Sequence, residues 1–224
     1  MQVATQVSAA EVYDEFSSTE LDTARWVSTA VDHAADPAAA RGYEVETGDG
    51  QLQISALDGD AGFLSTQRFG LPPGSLVGFE LEMTFAAQDV AAPTTVGPPM
   101  GEISVRDLPS GMLLGFEVTN EAIFAVHRRT GVPGVAAESE HFSHRVITET
   151  DTKPGQSHRY RISYQHNTSQ ARWYVDEHCV YAALVPLQIE GVSLSMGIVH
   201  GGNDAGSATK SAAATWTAWQ IGTG

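Results

Sequence analysis

The chain has 224 residues, with 12 Lys and Arg against 27 Asp and Glu, for a net charge of −15. Such a surface repels phosphate backbones and anionic bilayers, so neither nucleic acid nor membrane is an expected partner. A lone cysteine, Cys179, excludes an internal disulfide, and the length suffices for one domain held by its own core.

Met1 to Glu11 lacks a basic start and a continuous apolar run, so residues 1–11 read as a flexible segment rather than an export signal, and the expected compartment is the cytoplasm. Val12–Phe16 reads as a short strand, and Leu21 and Trp26 as anchors beneath a polar loop. The Ala-rich residues 30–41 suggest a helical turn interrupted by Pro37. Alternation on both arms of Tyr43–Thr47 and Gln51–Ala56, around Asp49-Gly50, predicts a β-hairpin. Phe63–Phe69 and Leu76–Ala86 follow as strands, the second with Phe79, Leu81, Met83 and Phe85 on one face. Residues 89–100 hold three prolines and no period, and read as a loop. Met112–Thr119 and Ala122–Arg129 form a second hairpin around Asn120-Glu121, with residues 131–140 as loop. His144–Thr150, Ser157–Gln165, a long run Ala171–Ala183, Val192–His200 and Ala214–Ile221 complete the strands, and residues 201–213 form a small-residue loop. Many short strands with regular turns and almost no helical period predict an all-β sandwich of two antiparallel sheets, one domain spanning 1–224, in which a curved sheet offers a concave outer face.

Gly101-Glu102-Ile103-Ser104-Val105-Arg106-Asp107 concentrates the chemistry. In a regular strand Glu102, Ser104 and Arg106 share a face and Asp107 points away. A bulge after Ser104 would return Asp107 to the face of Glu102 and set up a carboxyl pair suited to acid/base work at a glycosidic bond.

Asp14-Glu-Phe…Leu21-Asp…Trp26, Gly50–Ser55, Ser157–Tyr164 with Ala171–Asp176, and Trp216–Gln220 occur in the order found in laminarinase- and lichenase-type glycoside hydrolases. The chain resembles that family from about residue 12 to 222, and the resemblance implies a concanavalin A-like jelly roll. The family's catalytic signature is Glu-x-Asp-x-x-Glu on a bulged strand. Glu102 matches its nucleophile, Ser104 replaces the middle aspartate, and Asp107 replaces the acid/base glutamate. Shortening Glu to Asp withdraws a carboxyl by roughly 1.5 Å, and Arg106 beside it favours the ionised form, which cannot protonate a leaving group.

These departures, with the apparent lack of export, lead to the expectation of an intracellular, cofactor-independent cyclase or isomerase acting on a small, largely apolar metabolite. Glu102, Asp107 and Ser104 would be its catalytic residues. Arg106, Glu117, His127, Arg129, Trp26 and Trp216 are the expected ligand-binding residues, with His127, Arg128 and Arg129 forming a cationic strand end. The alternatives are a β-glycan hydrolase and a non-catalytic carbohydrate-binding module. A closed apolar pocket suits the metabolite and an open canyon suits a polymer. No metal ligation or cofactor is expected, since His141 and His144 lack a third ligand at metal spacing. Structural calcium at Asp204, or at Asp14 with Asp22, is an open alternative.

Overall fold

A computed structural model describes residues 5–6, 11–29, 42–57, 60–88, 98–130, 141–199 and 211–223. The Ala-rich turn at 30–41, the loops at 89–97 and 131–140, and residues 201–210 with Asp204 lie outside the described residues.

In chain order the strands are Thr5–Gln6 (β1), Glu11–Val12 (β2), Trp26–Ser28 (β3), Tyr43–Gly48 (β4), Gln51–Leu57 (β5), Ala61–Ser65 (β6), Phe69–Gly70 (β7), Leu76–Gln88 (β8) and Met100–Asp107 (β9). They continue with Met112–Val118 (β10), Ile123–Arg129 (β11), Phe142–Ile147 (β12), Ser157–Gln165 (β13), Gln170–Val175 (β14), His178–Leu184 (β15), Gly191–Val199 (β16), Ser211–Thr217 (β17) and Gln220–Thr223 (β18). The first sheet runs β1-β7-β16-β9-β10-β11-β12, with β6 beside β16 and β3 beside β6. The second runs β15-β14-β13-β8-β17-β5-β4, with β18 joining β8 to β2. Pairing is antiparallel apart from the parallel β1–β7 contact. Part of the N-terminal segment expected to be flexible is thereby tied down, since β1 pairs with Phe69–Gly70 and β2 with Gln220–Ile221.

Turn chemistry sets these pairings. Asp49 and Gly50 have φ of 52° and 80°, the two left-handed positions that a tight hairpin matching the strand twist demands. The predicted long strand over Ala171–Ala183 is instead two strands. Asp176 and Glu177 take φ of 48° and 70° and reverse the chain between β14 and β15. Two non-glycine residues in that conformation carry no glycine to mark the turn.

Between the sheets lie Trp173, Trp216, Trp219, Tyr160, Phe79 and Phe116, all fully buried. β8 alternates as predicted, with Phe79, Leu81, Met83 and Phe85 turned inward. Sheet-on-sheet burial of such aromatic area is the main source of stability in a disulfide-free chain.

The same alternation defines two faces on β9. A Cβ on Gly101 would meet the Phe85 and Met83 side chains of the opposite sheet. Gly101, Ile103, Val105 and Asp107 therefore form the inner row, and Glu102, Ser104 and Arg106 the outer row. Gly197 on β16 pairs with Glu102. A Cβ there would fall 2.3 Å from the Ala61 carbonyl oxygen, a backbone atom that cannot yield cheaply. Gly197→Ala is expected to cost about 3 kcal/mol, seen as a lower urea midpoint with an unchanged denaturant slope.

Candidate functional site

The outer face of the first sheet holds a hollow of about 210 Å³ lined by Thr29, Gly62, Glu102, Arg106, Arg128 and Ser195 among others. Glu102 sits on the middle one of three adjacent strands, β16, β9 and β10. Ser195 pairs with Ser104, and Ser104 with Gly115, in one cross-strand row; Gly197, Glu102 and Glu117 form the next. The small residues bring the backbones close, as a Cβ on Gly115 would sit 2.8 Å from that of Ser104. Ser104 is fully buried and Glu102 is 3% exposed, so this outward row is shielded from bulk water.

A carboxylate that deep needs partners. Arg106 Nη2 lies 2.5 Å from Glu102 Oε1, Arg128 Nη2 lies 3.1 Å from Oε2, and the Ser104 hydroxyl donates to Oε1 at 3.0 Å. Burial alone would push the Glu102 carboxyl up. The Arg106 and Arg128 charges, with the Arg106 and Ser104 hydrogen bonds, outweigh it and hold the group below the usual carboxylate range.

Glu117 stands directly opposite Glu102 on β10. Arg128 Nη1 is 3.1 Å from Glu117 Oε1, so one guanidinium bridges both carboxylates. Arg145 Nε is 2.7 Å from Glu117 Oε2, and its guanidinium lies 3.5 Å from the Phe124 ring centroid. Arg106, Arg128 and Arg145, each partly exposed, are the cationic partners of two buried acids.

The structure thus gathers Glu102, Ser104, Arg106 and Glu117 and separates the other expected site residues from them. The β9 ladder runs unbroken from Gly101 to Asp107 against β10 and from Met100 to Arg106 against β16, so there is no bulge to turn Asp107 outward. Asp107 sits on the inner row, 3.1 Å from Arg68 Nη2 and accepting from Ser110 Oγ at 2.7 Å. His127 is likewise inward, paired in register with Leu114. It stacks on His144 at 4.7 Å, with Trp173 and Tyr181 nearby. Burial first, and His144 second, keep its imidazole below the ordinary value and hence neutral near pH 7. Arg129 shares that inner row and donates from Nε to the Ser110 carbonyl at 3.0 Å. Trp26 and Trp216 are core residues, 2% and 0% exposed, and the Trp26 indole donates to Asp14 at 2.8 Å. Neither ring can stack on a ligand.

The Asp14 and Asp22 carboxylates are engaged within the chain. Asp14 accepts from the Phe16 amide and the Trp26 indole, while Asp22 accepts from the Ala24 amide and pairs with Arg25. The bridging role of Arg128 and the contribution of Arg145 were missed in the sequence. Alternation along β11 places Arg128 opposite in face to His127 and Arg129, but only the β10–β11 register reveals which acids it meets.

The profile of a family of unknown function, DUF6081, matches residues 5–185. The chain belongs to the DUF6081 family. No curated protein matches it. Among solved structures, this DUF6081 chain is similar to a LamA variant from Z. galactanivorans in complex with laminaritriose and laminaritetraose, with 13% identity, a TM-score of 0.65, and coverage of 98% of this chain and 100% of the other. The catalytic domain of an endo-1,3-beta-glucanase (laminarinase) from Thermotoga petrophila gives 11% identity, a TM-score of 0.61, and coverage of 96% and 98%. A beta-1,3-1,4-glucanase (lichenase) from a mouse hindgut metagenome gives 16% identity, a TM-score of 0.56, and coverage of 94% and 97%. At these identities the likeness establishes the fold: a concanavalin A-like jelly roll, as the sequence resemblance implied.

The expectation of a cyclase or isomerase for a small apolar metabolite is corrected. Structures similar to this DUF6081 chain include β-glucanases, and the hollow over Glu102 is lined by the Arg106 and Arg128 guanidiniums rather than closed by apolar side chains. An enclosing apolar cavity was the physical requirement of that reading, and the described residues around Glu102 do not form one.

Proposed function

We propose that the outer face of the first sheet is a β-glycan site and that the chain is a β-glycan hydrolase of the laminarinase and lichenase type. The observation that carries this reading is a buried carboxylate, Glu102, held ionised in a hollow on the outer face of the first sheet. An ionised carboxylate in a water-poor site is the group a retaining glycosidase needs as its nucleophile. A Glu102 oxygen bonds to the anomeric carbon as the glycosidic C–O bond breaks. A proton passes to the leaving oxygen, and water then cleaves the glycosyl ester. Ser104 and Arg106 orient the Glu102 carboxylate through its Oε1.

The proton must come from a second carboxyl. Asp107 faces the interior; Asp60 lines the hollow, and Glu117, directly opposite Glu102, is the acid this reading assigns. Directly opposed strand residues start from Cβ atoms about 4.5–5.5 Å apart, compatible with the roughly 5–5.5 Å between carboxyls that retention uses. A second reading, glycan binding without cleavage, is favoured by one observation: Glu117 is engaged by both Arg128 and Arg145, one on each carboxylate oxygen.

Incubation with laminarin and lichenan tests both. Reducing-sugar release by the wild type supports hydrolysis. Binding without release, insensitive to changing Glu102, supports the second reading. Neither release nor binding refutes a β-glycan site.

A further inference from the structure

We propose that β12 is a proton-operated flap on the first sheet, latched by the stacked His127–His144 pair. Acid loads the buried His127, the two imidazoles part, and β12 leaves β11. The flap carries Arg145, so its release withdraws one of the two guanidiniums on Glu117. The opening itself does not depend on the hydrolase reading; any effect on sugar cleavage does.

His127 sits where the two sheets meet at one side of the sandwich. Among the described residues, β12 ends the strand order of the first sheet and β15 that of the second. His144 is the direct register partner of His127, and their rings stack at 4.7 Å and 20°. Tyr181 lies 5.9 Å away, Trp173 5.8 Å and Phe142 5.7 Å. His127 is 6% exposed, and its Nδ1 is buried without a hydrogen-bond partner among the described residues. A protonated imidazole carries hydrogen on both nitrogens. While β12 is closed, the Nδ1 of a charged His127 is therefore a donor with no acceptor, which is costly in a buried position.

Few charges face this imidazole. On β12 the neighbour is His144, since Arg145 points to the opposite face. On β11 Arg129 shares its row, and β15 contributes the Tyr181 phenol. The inward residues of β10 and β14, Met112, Leu114, Phe116, Ala171, Trp173 and Val175, bring no carboxylate. Aromatic faces attract cations, yet burial, followed by the His144 charge, holds the His127 imidazole below its ordinary value. The cover that gives way is β12. None of its six residues is buried, and among the described residues it is joined to one strand. Its outer side adds the Arg145–Glu117 pair, with Arg145 40% exposed and hence weakly held, and the Phe124 ring contact. Trp173, by contrast, is fully buried and bonded to Gly115 across the sandwich. An edge strand with so little buried area opens at low free-energy cost.

The test is backbone amide hydrogen exchange in the full chain, followed by NMR at pH 7.5 and pH 5.0. His127 binds a proton more readily when exposed, which sets the sign: β12 is closed above the ordinary value of 6.5 and loosens as pH falls below it. After correction for the intrinsic pH dependence of exchange, the opening constant of the β12 amides paired with β11 should rise at least about fivefold at pH 5.0. That rise should exceed any seen in β10 and β14. In His127→Phe, which keeps a ring and has no proton to bind, the β12 rise should be lost. If His127→Phe does not fold, the wild type decides alone through the nitrogen-15 shifts of the His127 ring: β12 opening that follows protonation of this ring supports the proposal, and opening unrelated to it overturns the proposal. No rise in β12, a rise that persists in folded His127→Phe, a rise confined to β15, or an equal rise in β10 and β14 would also overturn it.

Discussion

Replacing Glu102 with glutamine is expected to eliminate reducing-sugar release from laminarin and lichenan and to lower stability by about 2–3 kcal/mol. The first effect follows because an amide cannot form the glycosyl ester. The second follows because Arg106 and Arg128 lose the anion that compensates them. Breaking a fully buried pair by removing one partner costs about 3–5 kcal/mol. Here the arginines are 30% and 27% exposed, so water partly re-solvates them and the lower figure applies. Ser104 keeps an acceptor in the glutamine oxygen, so its hydrogen bond survives.

The pH dependence has a definite sign. The Glu102 carboxyl is depressed in the folded state relative to its ordinary value of 4.5. Its contribution is therefore present above pH 4.5 and is lost as pH falls through the lower folded value. Urea unfolding of wild type and Glu102→Gln at pH 7 and pH 3 checks this: the gap between them should narrow at the lower pH. An equal gap at both would deny that Glu102 is held ionised by its neighbours.

Trp173→Ala is expected to be the most damaging single change in the core, at about 4–5 kcal/mol. That corresponds to a melting midpoint lowered by about 8–20 °C for a chain of this size. Trp173 is fully buried on β14, and its indole donates across the sandwich to the Gly115 carbonyl of β10 at 2.9 Å. It also packs against His127 and Tyr181. The indole is thus a strut between the sheets, placed behind the floor row that contains Ser104. Trp173→Phe keeps most of the volume and loses the hydrogen bond, at an expected cost of about 2 kcal/mol. Calorimetry on the two variants separates packing from the bond. Equal losses would mean that the hydrogen bond accounts for the whole effect.

Period and turn residues made much of the sandwich legible. Phe79, Leu81, Met83 and Phe85 declare the buried face of β8, and Asp49-Gly50 declares a hairpin. Ser157–Gln165 is a strand over the span its alternation predicts. The reversal at Asp176-Glu177 was invisible because left-handed backbone there falls on residues that rarely adopt it. Alternation also places Glu102, Ser104 and Arg106 on one face, where they lie. The relation of Glu102 to Glu117 and Arg128 depends on register across two hairpins, which a local pattern does not carry. Asp107 illustrates the same limit. Its partner Arg68 is 39 positions away in sequence, and the neighbouring strands keep β9 straight instead of bulged. Trp26 and Trp216 were expected to bind ligand, but a sandwich without disulfides draws its largest apolar side chains inward, and all four tryptophans are buried.

The most direct measurement is amide chemical-shift mapping of the isotopically labelled chain during titration with laminaritetraose. A β-glycan site on the first sheet predicts saturable shifts at Gly62, Ser104, Gly115, Ser195 and Gly197, around the Glu102 carboxylate. No saturable shifts, or shifts confined to Glu82, Arg159 and Thr215 on the outer face of the second sheet, would contradict it.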